Sequence, residues 1–261
     1  MINKAKGYVV YEGKSRLSDD PIVTIITMAS ANDKTGNMVQ LWILPADQTP
    51  LEALKSDRNQ GACGTCLLQG KYSKKLKKMI NRVCYVRVYQ APDSIFRSWK
   101  RGIYPTYDRS KHARKIRGRE LRFGAYGDPA ALPIEVLEHL EKLTSGHTGY
   151  SHQIFDIAKT DPQLADDLAQ MLMVSCDTNE QHDQATANGW RTFTVVPEGG
   201  ATPENAVECP HYTHDVQCKD CLLCSGSKVN AKSVYVYAHA KTGLNLPKIQ
   251  ALTIGQTSAA A

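Results

Sequence analysis

No stretch of this chain approaches the roughly 18 to 20 consecutive apolar residues that a bilayer-spanning helix requires, although 42% of its 261 residues are hydrophobic. On that absence a soluble protein is expected, with no membrane partner. A secretory leader is missing too: the opening segment MINKAKGYVVYEGKSRL carries charges where such a leader carries its apolar core. A cytoplasmic location is therefore expected, in a reducing compartment where structural disulfides are rare. Internal repeats are absent, and low complexity is confined to the terminal TSAAA.

Cysteine, by contrast, is plentiful. Eight are present, and once disulfides are set aside they read as ligands for metal or for an iron–sulfur cluster. The formal charge is +6, with its excess in two stretches, Lys71–Arg82 and Arg97–Arg122. Aromatic residues make up only 7% of the chain, yet Phe96, Trp99, Tyr104 and Tyr107 fall in or beside the second stretch. Basic groups attract polyanions and rings stack on bases, so Trp99, Lys100, Arg101, Arg114, Lys115 and Arg117 are candidate nucleic-acid contacts. A solvated lysine-rich surface over buried rings explains the same letters.

The order of elements points to an α/β fold. PIVTIITMAS (21–30) and NMVQLWILP (37–45) are apolar, β-branched runs separated by the turn formers ANDKTG, as expected for a hairpin. PDSIFRSWKRG (92–102) reads as a helix ended by Gly102. From Leu121 onward strands and helices alternate: LRFGAYGD, the helix LPIEVLEHLEKL, the strand GYSHQIF (149–155), the helix DPQLADDLAQ, the strand MLMVSC, the helix NEQHDQATANG, the strand WRTFTVV and a last strand KSVYVYAHA (232–240). Such alternation predicts βα units on a parallel sheet, either as a partial barrel or as an open doubly wound sheet. In both, sites gather at the strand C-termini, where Tyr126, Asp128, His152, Gln153, Cys176, Asp177 and His239 are expected. One α/β domain over 1–261 is predicted, with N-terminal strands and loop in 1–60, the first cysteine group and basic segment in 61–120, regular βα units in 121–200, a four-cysteine segment and final strand in 201–240, and a tail in 241–261.

Three motifs carry candidate chemistry. Cys209, Cys218, Cys221 and Cys224 have spacings x8, x2 and x2; the consecutive x2 intervals suit a cubane cluster, and zinc is the competing ligand, with His211 and His214 as further donors. Cys63 and Cys66 in GACGTC, with Cys84 beyond them, make a three-thiolate group whose fourth coordination position is open or filled from elsewhere. Cys84 as a small core residue, with the pair closing a zinc ribbon, is the alternative. Cys176 is expected in the core. In FGAYGDPAALP, Gly124 and Gly127 bracket Tyr126 ahead of Asp128, which suits either close approach to a ligand or a capped turn from strand to helix.

Taken in order, CGTC…CY, RFGAYGDPAALP, GYSHQ, SCDT…GWRTF and ECP…QC..C.LC.G resemble a family of cysteine-rich proteins of phages and plasmids, which in turn are similar to radical S-adenosylmethionine enzymes. The resemblance spans Gly61 to His239. It implies a partial (β/α) barrel, a [4Fe–4S] cluster on Cys63, Cys66 and Cys84 with one iron left for S-adenosylmethionine, a binding segment of Gly124, Tyr126, Gly127 and Asp128 for its amine, and an auxiliary cluster on Cys209, Cys218, Cys221 and Cys224. For a phage-encoded chain the compartment would be the host cytoplasm. One departure stands out: radical enzymes carry CxxxCxxC in one loop, whereas Cys84 lies 18 positions beyond Cys66. Two functions are expected on these grounds: an iron–sulfur, radical-type enzyme acting on a substrate that includes nucleic acid among its candidates, or a non-catalytic, zinc-stabilised nucleic-acid-binding protein of a mobile element.

Overall fold

Strand-forming runs at both ends of the chain build two five-stranded sheets that share one short stretch of backbone. The computed structural model describes residues 6–29 and 31–238, so the expected strand-end residue His239 and the tail 241–261 lie outside the described residues. β1 (Gly7–Lys14), β2 (Pro21–Thr27) and β3 (Val39–Pro45) pair antiparallel in sequence order. The hairpin expected of the second and third is present; the first joins them at the edge.

Between β3 and the next main strand the chain forms α1 (Pro50–Lys55), α2 (Gln60–Cys63), a small antiparallel hairpin of β4 (Lys71–Ser73) and β5 (Lys78–Ile80), α3 (Ala91–Lys100) and α4 (Arg109–Ile116). Each longer element has a local cause. Thr49 and Glu52 form a capping box ahead of α1. Asp108 accepts hydrogen bonds from the Ser110 and Lys111 amides at the start of α4.

β6 (Glu120–Tyr126) then lies parallel to β3, and after α5 (Ile134–Leu143) β7 (Gly146–Thr148) lies parallel to β6. The second sheet starts one residue later. β8 (Tyr150–Ser151) pairs with β9 (Met173–Cys176), β9 with β10 (Thr192–Val196), β10 with β12 (Ser233–Tyr237) and β12 with β11 (Ala206–Glu208), all parallel. α6 (Ile154–Ala158), α7 (Pro162–Met171) and α8 (Asn179–Ala187) occupy the crossovers, while α9 (Pro210–His214) and α10 (Cys218–Cys221) belong to the four-cysteine segment. The run GYSHQIF, expected as a single strand, is extended only at its start. From Ile154 it is helix, because Asp128 and Gln153 turn the chain as described below.

The fold is α/β, with one mixed and one wholly parallel sheet. Among the described residues the edge strands β1 and β11 do not pair with each other, and the sheets form no closed barrel. Helices α5, α7 and α8 lie on one face: Leu137, Leu140, Ala165, Leu168 and Ala185 share a core with Val39, Leu41, Ile43, Leu121, Phe123, Val174 and Cys176 from both sheets. A doubly wound sheet would have divided these helices between two faces. Strand alternation turns Gln40, Trp42, Arg122, Tyr150, Met173 and Phe193 to the opposite face, and the cysteine-bearing segments cover that inner face. Cys176 is buried in the helix-side core, as expected.

Gly149 joins the sheets. Its amide donates to Cys224 O (2.9 Å) and its carbonyl accepts from Met173 N (3.0 Å). A Cβ there would stand 2.7 Å from Leu172 Cδ2 and 2.9 Å from Phe123 Cβ. Gly149→Ala is therefore expected to lower the unfolding free energy by about 1–3 kcal/mol through overpacking, read as a shift of the urea midpoint; a midpoint equal to that of the parent would show that the junction has slack.

Candidate functional site

The first cysteine group forms at the C-terminal ends of β3, β6, β8 and β9. α2 ends at Cys63, and Gly64, at φ +54°, reverses the chain in a conformation that side chains other than glycine's rarely adopt. Gln153, just past β8, holds that reversal: its Oε1 accepts from Thr65 N (3.2 Å) and Thr65 Oγ1 (3.1 Å), and its Nε2 donates to Cys63 O (3.4 Å). After Cys66 the β4–β5 hairpin carries the chain out and back. Val83 and Cys84 then both donate their amides to Leu68 O, at 3.0 and 2.8 Å. The long interval between the second and third cysteines is thus a hairpin whose two ends meet beside Cys66.

All three thiols are half-buried and free. Burial pushes the Cys63 thiol well above its usual range, and the neighbouring Cys66 and Cys84 push it further. Burial also raises the Cys84 thiol, with Arg82 opposing and Cys66 adding to the rise. The physical meaning is direct: these sulfurs are close enough to repel one another as thiolates, and a cation among them would reverse that repulsion. His152 is the fourth group of this cluster. Its ring neighbours Cys66 and lies with Nε2 3.5 Å from Asp177 Oδ1. Burial alone would lower its pKa, but Cys66 and Asp177 outweigh burial and hold it well above the usual histidine range. A cavity of about 660 Å³ opens at this point, lined by Cys66, His152, Asp156, Asp177 and Trp190 among others.

Gly124, Tyr126, Gly127 and Asp128 border the same group, with their contacts made by the chain itself. Gly127, at φ +82°, lets the Ala62 and Ile43 carbonyls approach, and Asp128 N donates to Ala62 O at 2.7 Å. Tyr126 OH donates to Asn59 Oδ1 at 3.1 Å. Asp128 caps the turn Pro129–Ala131, Oδ1 accepting from Ala130 N (3.0 Å) while Oδ2 accepts from His152 N (2.8 Å). Both carboxylate oxygens are thus engaged, and Asp128 sets the position of His152.

The four-cysteine segment lies on the inner face of the second sheet. Cys209 follows β11 and donates its amide to Tyr235 O; Cys218 donates its amide to Lys34 O (2.8 Å), tying the segment to the loop before β3. Burial, followed by Cys209, Cys218 and Cys221, raises the Cys224 thiol strongly, so these four sulfurs also face one another. They border an enclosed space of about 20 Å³ with Thr148, Tyr150 and Val234. His211 and His214 lie on α9 beside it. Among the described residues, no three Cys, His, Asp or Glu side chains already stand at the spacing that holds a single ion.

The candidate nucleic-acid residues differ in how far the chain itself engages them. Trp99 is half-buried and capped by Lys100, whose Nζ lies 4.3 Å from its ring centroid and donates to Ala46 O (2.9 Å); this ring face is occupied by the chain. Arg101 Nη2 donates to Ser98 Oγ (3.2 Å). Arg114 and Arg117 are exposed on and just after α4, while Lys115 points inward and donates to Tyr8 OH (2.5 Å). What sequence reasoning missed is Arg122, an inner-face residue of β6 that is 6% exposed; a charged residue inside an apolar strand was its only signal.

Asp128→Asn keeps one acceptor and sets an amide donor against a backbone N–H. It is expected to cost about 1–3 kcal/mol of unfolding free energy, measured by guanidinium denaturation; an unchanged midpoint would mean that water replaces one of the two bonds. No protein-family model, curated protein or solved structure matches the chain.

Proposed function

We propose that this chain is an iron–sulfur enzyme of radical S-adenosylmethionine type on a partial (β/α) barrel, with its reactive cluster held by Cys63, Cys66 and Cys84. The observation that carries the reading is the gathering of three free thiols, from two turns of chain 18 positions apart, at the C-terminal ends of parallel strands. That is where α/β proteins place their chemistry, and the donor set fits: three soft thiolates leave one metal position open. Such a cluster supplies the electron for reductive cleavage of S-adenosylmethionine. The chain's own part is to hold and shield. Gln153 and Gly64 fix the Cys63–Cys66 turn, Leu68 O fixes Cys84, and Asp128 fixes His152 next to Cys66. The cavity lined by Cys66, His152 and Asp177 gives small ligands access to the group.

The second cysteine group has a holding role in this reading. It ties the β11 end, the loop before β3 and Gly149 together. The small size of the space it encloses favours a single zinc ion there, whereas its x2–x2 triplet favours an auxiliary cluster. A zinc protein without redox chemistry, binding nucleic acid, is the competing function.

Metal analysis after anaerobic purification tests both. A brown chain with about four irons has one cluster and with about eight has two; a colourless chain with only zinc sinks the enzyme reading. With dithionite as reductant, Cys63→Ala is expected to abolish S-adenosylmethionine cleavage while shifting the unfolding free energy by less than about 1 kcal/mol. Cys221→Ala is expected to cost several times more, about 3 kcal/mol or above. If Cys63→Ala unfolds as badly as Cys221→Ala, the first group is structural.

A further inference from the structure

A cavity of about 1350 Å³ lies against the inner face of the first sheet. Thr27, Gln40, Trp42 and Arg122 form its floor from β2, β3 and β6, and the segment from Tyr85 to Pro92 forms one wall. Its charge is one-sided. Among the described residues Lys6, Arg87, Lys115, Arg119 and Arg122 line it and no Asp or Glu does, although the whole chain has 26 acidic residues against 32 basic ones. Among the described residues, none of these five cations forms an ion pair.

Arg122 is the most demanding of the five. It is buried, its Nη2 donates to Tyr85 OH (2.5 Å), and its Nε is buried with no hydrogen-bond partner among the described residues. A guanidinium removed from water without a carboxylate is costly, and such groups persist where an anion completes them. The rings of Trp42, Tyr85 and Tyr104 share the cavity. Trp42 is pinned by its Nε1 donating to Thr27 Oγ1 (3.0 Å), and Tyr85 is 66% exposed. Guanidinium forks for phosphate oxygens together with aromatic faces for a planar base are the two halves of nucleotide recognition.

We propose that this cavity binds a nucleotide unit, free or within a single strand, with its phosphate on Arg122, Arg119 and Lys115 and its base against Trp42 and Tyr85. As a substrate site the assignment rests on the enzyme reading above, and its link to the first cysteine group is the wall Tyr85 to Arg87, which follows Cys84 directly in the chain. As a binding site it stands on the cavity alone. Of the basic stretch Arg97–Arg122, Tyr104, Lys115, Arg119 and Arg122 line the cavity.

The test is fluorescence anisotropy of a labelled single strand of about ten nucleotides with the full chain as purified, and with iron measured on the same sample. Binding that weakens steeply with salt is expected. Arg87→Gln and Arg119→Gln should each reduce affinity about tenfold, and Trp42→Leu should reduce it without changing the salt slope. Lys142→Gln, on the helix-covered side, should leave affinity unchanged. Arg122→Gln is read only with a matching urea midpoint, because the buried site tolerates change poorly. Displacement by a mononucleotide identifies the free form as sufficient, and its failure to displace a bound strand identifies the strand; both support the site. Absence of binding by strand and mononucleotide at low salt overturns the proposal, as does full affinity in the Arg87→Gln, Arg119→Gln double variant or stronger displacement by an acidic peptide than by the nucleotide. An iron-free chain that still binds sinks the cluster reading and leaves this one standing.

Discussion

One stretch of six residues, Gly146 to Ser151, constrains the rest of the molecule. Its first half is hydrogen-bonded into the mixed sheet and its second half into the parallel one. A strand has period two, so a slip of one residue would exchange its faces. In the observed register His147 meets Phe123 on the helix side, while Thr148 and Tyr150 face the four-cysteine segment. Gly149, between them, accepts the amide of Met173 and donates to Cys224. The helix layer, the inner face and the placement of the second cysteine group all follow from that register.

The inner face is electrostatically divided. At one end are thiols whose ionisation is held back by burial and by one another; in the middle is a cavity of cations without carboxylates. The thiols stay neutral at ordinary pH, whereas a buried guanidinium keeps its charge and is costly without a negative partner. Arg122 touches both domains of charge, since Cys218 lies close enough to favour its charged form. An interior arranged for packing alone would use apolar side chains of the same volume.

Much of the fold was legible because each element carried a local cause. The periodic apolar residues of Ile134–Leu143, the Asp161 cap and Pro162 start of α7, and the β-branched run Thr192–Val196 specify their own conformations. Other elements had no such cause. β11 owes its existence to pairing with β12, and β7 to pairing with β6; neither has a strand pattern of its own. The run after Tyr150 reads as β by composition, yet Asp128 and Gln153, acting from the tertiary structure, turn it into α6. In the site, the cysteines announced themselves by spacing. His152 beside Cys66 and the convergence of Lys6, Arg87, Lys115, Arg119 and Arg122 did not, because those residues meet only through the fold.

The hairpin between Cys66 and Cys84 separates chain length from site geometry. Because the backbone leaves and re-enters through the same carbonyl at Leu68, the thiols are positioned by the neck of this excursion and are indifferent to its tip, where Lys74 to Lys77 stand in solvent. Loop-closure entropy grows only slowly with length. That tip is therefore a place where the turn can be lengthened or shortened while the neck keeps its geometry, so the interval between Cys66 and Cys84 says little about how far apart their side chains stand.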